Sequence, residues 1–199
     1  MIYASVLSAG KFVAGIALPI YPNCALTVRK NRMCSMIKRT VGWWDRYFLG
    51  LAKYVSTASK DPSTKVGAVL VNDLMQVVGL GYNGFARGVA DSDERLNNRE
   101  LKYKYVVHAE VNAIIQAGHA ARGSTLYVYP SFALPPICND CCKAAIQAGI
   151  TGIVGFDPDE NDPRVARWKE SIAISKQMCE EAGIWNRSYS EGEENDSGF

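Results

Sequence analysis

From Trp43 onward, apolar side chains recur three and four residues apart. Trp44, Phe48, Leu51, Ala52 and Val55 make one stripe, which predicts an amphipathic helix that ends before Asp61-Pro62. The period then shortens. Val66 to Val71 and Gln76 to Tyr82 are short apolar runs separated by Asn72-Asp73, the pattern of a β-hairpin. Residues 83–104 are polar and carry a charged run from Asp93 to Glu100, a connection too long to be structureless and inert. Further on, the pattern predicts a helix over Ala109–Ala121, a strand over Thr125–Tyr129, a helix over Asn139–Ala148 closed by Gly149, and a strand over Thr151–Phe156. A long helix then runs from Pro163 to about Ala182, stopped by Gly183. A hairpin followed by alternating helices and strands implies a mixed sheet with helices on both faces.

These elements fit one domain over residues 42–186, within a chain of 199 residues. Residues 1–41 stand apart. Through Trp44 the chain carries six basic side chains and no acid, leaving 16 basic and 20 acidic residues in the rest. The N-terminal stretch reads as an organelle transit peptide, as an upstream extension with Met33 or Met36 the true start, or as a disordered arm; the last two are favoured. Residues 187–199, rich in Glu and Gly, are expected to be a disordered acidic tail. The net negative body argues against a nucleic-acid partner, which needs a broad basic footprint. The absence of a long apolar run argues against a membrane span. A cytoplasmic location is expected, with organelle targeting by residues 1–40 left open. Six cysteines (Cys24, Cys34, Cys138, Cys141, Cys142 and Cys179) do not read as a disulfide framework, because three of them crowd into five residues. Metal ligation in a reducing compartment explains them better.

Two short motifs carry the chemistry: His108-Ala109-Glu110 and Cys138-Asn139-Asp140-Cys141. One imidazole and two thiolates suit Zn2+, and three protein ligands leave a tetrahedral position free for water. Each ligand falls at a predicted helix start, where unpaired N–H groups favour thiolates. Bound zinc lowers the pKa of water to about 7, and Glu110 is placed to shuttle the proton from that water to a ring nitrogen and then to departing ammonia. The bland alternatives are a hydrogen-bonded core histidine, a redox Cys pair and half of a structural zinc knot. Cys142 directly after the pair, and the lack of a fourth ligand other than a distant His119, speak against the last two.

Longer words surround these motifs: Ser59-Lys-Asp-Pro-Ser-Thr-Lys-Val-Gly-Ala68, Gly81-Tyr-Asn-Gly84, Val107-His-Ala-Glu-Val-Asn-Ala-Ile114 and Ala145-Ile-Gln-Ala-Gly-Ile150. From about Trp43 to Ile184 the chain resembles the deoxycytidylate (dCMP) deaminase family of the zinc-dependent cytidine deaminase superfamily. The resemblance implies a three-layer α/β/α sandwich with a mixed five-stranded sheet. It also implies hydrolysis of dCMP to dUMP and ammonia, a homo-oligomer, usually a hexamer, and in some members regulation by dCTP and dTTP. Position by position, His108, Cys138 and Cys141 match the zinc ligands and Glu110 the proton shuttle. Asn83 matches a sugar-contacting asparagine, with a turn residue beside Gly84 as its alternative. Ala109, Tyr105, Tyr129 and Lys65 are further substrate-contact candidates. The two tyrosines would wall the pyrimidine or else be core, and Lys65, like Lys60, would meet phosphate or else be solvated. Ile137 stands where the family usually has Pro, and Gln116 and His119 stand where some relatives carry Phe and Arg, which puts nucleotide regulation in question. A deaminase of another base, such as a tRNA adenosine or a free nucleoside, and a catalytically silent homologue are the competing readings.

Overall fold

The computed structural model describes residues 39–192. The expectations for residues 1–38 and 193–199 lie outside them. Helix α1 (Val41–Ser56) begins where Thr40 takes an extended backbone and its hydroxyl accepts from the Trp43 N–H at 3.2 Å. Its inner face carries Asp45, Phe48, Leu49, Ala52 and Ser56, so Leu49 and two polar residues join the apolar stripe that the sequence shows. Strands β1 (Gly67–Val71) and β2 (Val77–Tyr82) form the expected antiparallel hairpin. The polar stretch after it folds into β3 (Gly84–Phe85), α2 (Asp93–Asn97), α3 (Arg99–Tyr105) and β4 (Val106–Val107), with β3 and β4 paired antiparallel. Helices this short leave little periodic signal, which is why the sequence gives only a loop there.

Helix α4 (Ala109–Ala117) gives way to a 3-10 turn at Gly118–Ala121, shortening the helix expected there. Then come β5 (Thr125–Tyr129), α5 (Asn139–Ala148), β6 (Gly152–Phe156), α6 (Pro163–Ala182) and β7 (Trp185–Tyr189). Gly149 and Gly183 end α5 and α6 in the left-handed conformation. The sheet order is β2-β1-β5-β6-β7, antiparallel through the first three strands and parallel through the last three. This is the mixed five-stranded sheet implied above.

Side-chain alternation divides the core in two. Val69, Val71, Tyr127 and Val154 face α1, where they meet Phe48, Leu49 and Ala52. Ala68, Leu70, Leu126, Val128 and Ile153 face the other way, toward Ala109 and Ala113 of α4, Cys142 and Ala145 of α5 and Cys179 of α6. Each fully buried Leu or Ile contributes roughly 1.5–3 kcal/mol by leaving water. Helix α4 lies so close on β2 that a methyl group on Gly81 would overlap the Ala109 carbonyl. That glycine therefore sets how deep the start of α4 sits.

The end of the domain needs correction. The chain stays ordered through β7, so residues 187–189, expected to be tail, are the outer strand of the sheet. Arg187 Nη1 and Tyr189 Oη both donate to Asp45 Oδ2 at 2.7 Å, and Tyr127 Oη donates to Asp45 Oδ1 at 2.8 Å. These bonds to a buried carboxylate on α1 hold a strand whose own sequence, Trp-Asn-Arg-Ser-Tyr, carries no apolar run.

Candidate metal centre and active site

β4 delivers the chain to His108, whose extended backbone is the N-cap of α4; Cys138 is the N-cap of α5, and Cys141 lies one turn inside it. The side chain of Cys138 accepts from the Cys141 N–H at 3.5 Å. Packing of α4 and α5 on the same sheet face brings the two helix starts together. His108 Nδ1 lies 3.4 Å from Cys138 Sγ and 3.3 Å from Cys141 Sγ, and all three ligand atoms lie within 4.8 Å of one another. A tetrahedral zinc with bonds of about 2.0 Å to N and 2.3 Å to S separates such atoms by about 3.5 Å. The donor set and its spacing therefore fit zinc.

The electrostatics fit a cation as well. Hydrogen bonding from Cys141, reinforced by His108, holds the Cys138 thiol far below its usual range, at about 4, despite its burial. The imidazole's own hydrogen bond to Cys138 lifts His108 to about 9. Cys141, donating to Cys138 and buried, is pushed up. One negative charge thus already sits on Cys138, facing a protonated imidazole where a metal would take over the compensation. Cys142 takes no part. One residue further round the helix, its thiol faces α6, 3.6 Å from Cys179 Sγ and from the Ser175 carbonyl oxygen.

Glu110 is buried on the first turn of α4, and burial pushes its carboxyl upward. It shares a cleft of about 50 Å³ with His108 and Cys138, walled by Val66, Phe132, Ile137 and Trp168. The Trp168 indole meets the His108 ring edge-on, with centroids 6.3 Å apart. A second, polar cleft of about 90 Å³ shares His108 and Trp168 and is lined also by Ser63, Thr64, Asn83, Arg99 and Arg167. A larger cavity of about 150 Å³ lies beyond Asn83, lined by Lys60, Tyr82, Phe85, Asp91 and Leu96; it contains none of the ligands.

Of the other candidates, Asn83 is buried in the wall shared by the polar cleft and the larger cavity. Its Oδ1 accepts from the Val66 N–H at 2.8 Å and its Nδ2 donates to the Thr64 carbonyl at 2.9 Å. It braces the loop before β1 as a turn residue would, while facing the cleft. Ala109 is fully buried under β2. Lys65 is exposed on that loop and lines neither cleft. The tyrosines need correction. Tyr129 shares the alternation of Tyr127, so its ring packs on the α1 side against Phe156, away from the ligands. Tyr105 packs on Phe85, with the Arg95 guanidinium 4.7 Å from its ring centre, and lines neither cleft. The aromatic walls come instead from Phe132 and Trp168. Phe132 lies in the loop before Cys138 and Trp168 on α6, where no local signal marks them.

A family model described as the cytidine and deoxycytidylate deaminase zinc-binding region matches residues 43–156. A protein of Aliivibrio fischeri described as an uncharacterized deaminase in the luxG 3' region is 36% identical over 143 residues, covering 71% of this chain and 90% of its own. The deoxycytidylate deaminase of Mus musculus is 36% identical and that of Pongo abelii 40%, each over 73% of this chain and 79% of the relative. The crystal structure of dCMP deaminase from the cyanophage S-TIM5 in complex with dCMP and dUMP superposes with a TM-score of 0.52 at 23% identity, over 72% of this chain and 94% of that one. It shares the fold. Among the described residues no helix is long and apolar enough to cross a membrane. The matched span contains both helix starts that carry the ligand set, and the chain belongs to the zinc-binding cytidine and deoxycytidylate deaminase family.

Proposed function

We propose that this chain hydrolyses deoxycytidylate to deoxyuridylate and ammonia. The observation that carries this reading is the convergence of His108, Cys138 and Cys141 on one cation position, with the Glu110 carboxylate in the same cleft. Zinc held by those three side chains would supply hydroxide at neutral pH by lowering the pKa of water to about 7. Glu110 takes one proton from the attacking water and delivers it to the ring nitrogen N3. It carries the second to the exocyclic amine, so oxygen is gained at C4, ammonia leaves and the carboxylate returns to its starting state. Val66, Phe132, Ile137 and Trp168 shape an apolar slot that excludes bulk water and fits a flat ring.

The mononucleotide substrate is supported by the deoxycytidylate deaminases named above and by the polar cleft that continues from the ring slot. Asn83, which lines that cleft, would meet the sugar in this reading. Exposed Leu80, Tyr82 and Ile115 along β2 and α4 support self-assembly. The test is ammonia release by the zinc-loaded chain from dCMP, deoxycytidine and cytosine. The reading expects dCMP to react at least about a hundredfold faster per molar than the free base. Equal rates on the three would reject it.

A further inference from the structure

The polar cleft holds two cations that nothing in the deamination chemistry uses. On α3, Arg99, Lys102 and Tyr103 line it from one helix face, and Val106 follows at the start of β4. Arg167 comes in from α6, one residue before Trp168. The charges in this cleft are unbalanced. Its carboxylate, Asp61, is taken: Oδ1 accepts from Lys102 Nζ at 2.9 Å and from the N–H groups of Ser63 and Thr64 at 2.7 and 3.1 Å. Lys102 is taken in turn, donating also to Ser63 Oγ at 2.9 Å. Arg99 and Arg167 make no ion pair among the described residues, although Arg167 acts at longer range on Asp162, whose carboxylate is bonded to Arg164; Arg99 lies over the Tyr103 ring at 5.3 Å. Two guanidinium groups outside any ion pair thus line a cleft that also includes the zinc ligand His108.

The geometry points to Arg99 and Arg167 as the pair that grips the 5'-phosphate of the substrate and so makes this site select a nucleotide over a nucleoside. This rests on the reading that the ring slot takes a pyrimidine. With the base between Trp168 and Phe132 and the reacting carbon at His108, the adjoining cleft, which shares His108 and Trp168 with the ring slot, would take the rest of the ligand among Asn83 and the two arginines. Planar guanidinium forks match a phosphate dianion with paired charge-assisted bonds, and the two arginines approach from different elements. Lys102 is a positioning residue here. By burying its ammonium against Asp61 it clamps α3 onto the loop at Ser63 and Thr64, and Arg99, one turn earlier on the same face, is presented to the cleft.

The test compares binding of dUMP and deoxyuridine to the full, zinc-loaded chain by calorimetry, in the parent, Arg99→Gln, Arg167→Gln and the double variant. Both side chains are exposed, so the fold should survive; zinc content and the melting curve verify this. The parent should hold dUMP at least about a hundredfold tighter than deoxyuridine, each single change should cut that ratio about tenfold, and the double variant should bring it close to one with deoxyuridine affinity unchanged. Inorganic phosphate should compete with dUMP in the parent and not in the double variant. Arg99→Lys/Arg167→Lys, which keeps the charges and loses the forks, should recover part of the ratio. An unchanged ratio in the double variant, a parallel loss of both ligands, or a parent that binds both alike overturns the assignment. Failure of the deaminase reading shows separately, as a parent that releases no ammonia from any cytosine substrate, since the binding ratio needs no turnover.

Discussion

Lys102 Nζ lies 2.9 Å from Asp61 Oδ1, with both side chains less than a tenth exposed. The pair joins α3 to the loop that leads into β1, elements the chain separates by 41 residues. Removing one partner strands the other charge out of water. Lys102→Ala is therefore expected to lower unfolding free energy by about 3–5 kcal/mol, and adding Asp61→Asn should return part of it. Urea unfolding of the single and double variants checks this; a loss under about 1 kcal/mol for Lys102→Ala would show that the pair is not a clamp.

Gly81 sets the seat of α4 on β2, and α4 begins at the metal ligand. Gly81→Ala forces a methyl group against the Ala109 carbonyl. The expected result is a loss of about 1–3 kcal/mol through overpacking, together with weaker zinc retention, because His108 moves with the helix start. Unfolding curves and zinc content after dialysis measure the two effects. Lost stability with zinc held as in the parent would separate the packing from the site.

Asp45 tests the opposite case, a buried group remote from the ligands. Asp45→Asn removes the charge facing Arg187 and an acceptor for one of the two tyrosines. The stability cost should be about 1–3 kcal/mol, with zinc stoichiometry unchanged. Loss of zinc from this variant would contradict the division of labour between the two sheet faces.

The contrast among these residues explains what could be read from the chain beforehand. His108, Glu110, Cys138 and Cys141 are legible because ligand spacing is local and each motif sits at a helix start that apolar period and glycine stops already mark. The sheet's first four strands are legible for the same reason. Tyr129 misleads, since its neighbourhood in sequence is right and only register with β1 shows that its ring points to α1. Trp168 is invisible because tertiary packing alone brings it to His108, and Phe132 because no residue pattern marks the loop before Cys138. β7 is hidden because polar bonds to Asp45, made across nearly the whole domain, hold it in place of an apolar run.

Proton competition gives the zinc site a defined pH response. Cys138, held at about 4, is already a thiolate above pH 5, whereas His108, lifted to about 9, and Cys141, pushed up, still carry protons at neutral pH. Binding must release both. Zinc affinity should thus rise by about two decades per pH unit between roughly pH 6 and 8, and less steeply once His108 has lost its proton. Chelator competition at several pH values measures the slope; a flat response contradicts the proton assignment.

The most direct measurement pairs metal content with turnover in one preparation. The parent and Glu110→Gln are purified with zinc, metal per chain is determined, and ammonia release from dCMP is followed. The account predicts one zinc per chain in both, and a fall in rate of at least about a thousandfold in the variant, as expected when the group that moves both protons is gone. A parent that holds zinc and leaves dCMP untouched, or a Glu110→Gln variant that turns over at the parental rate, would contradict it.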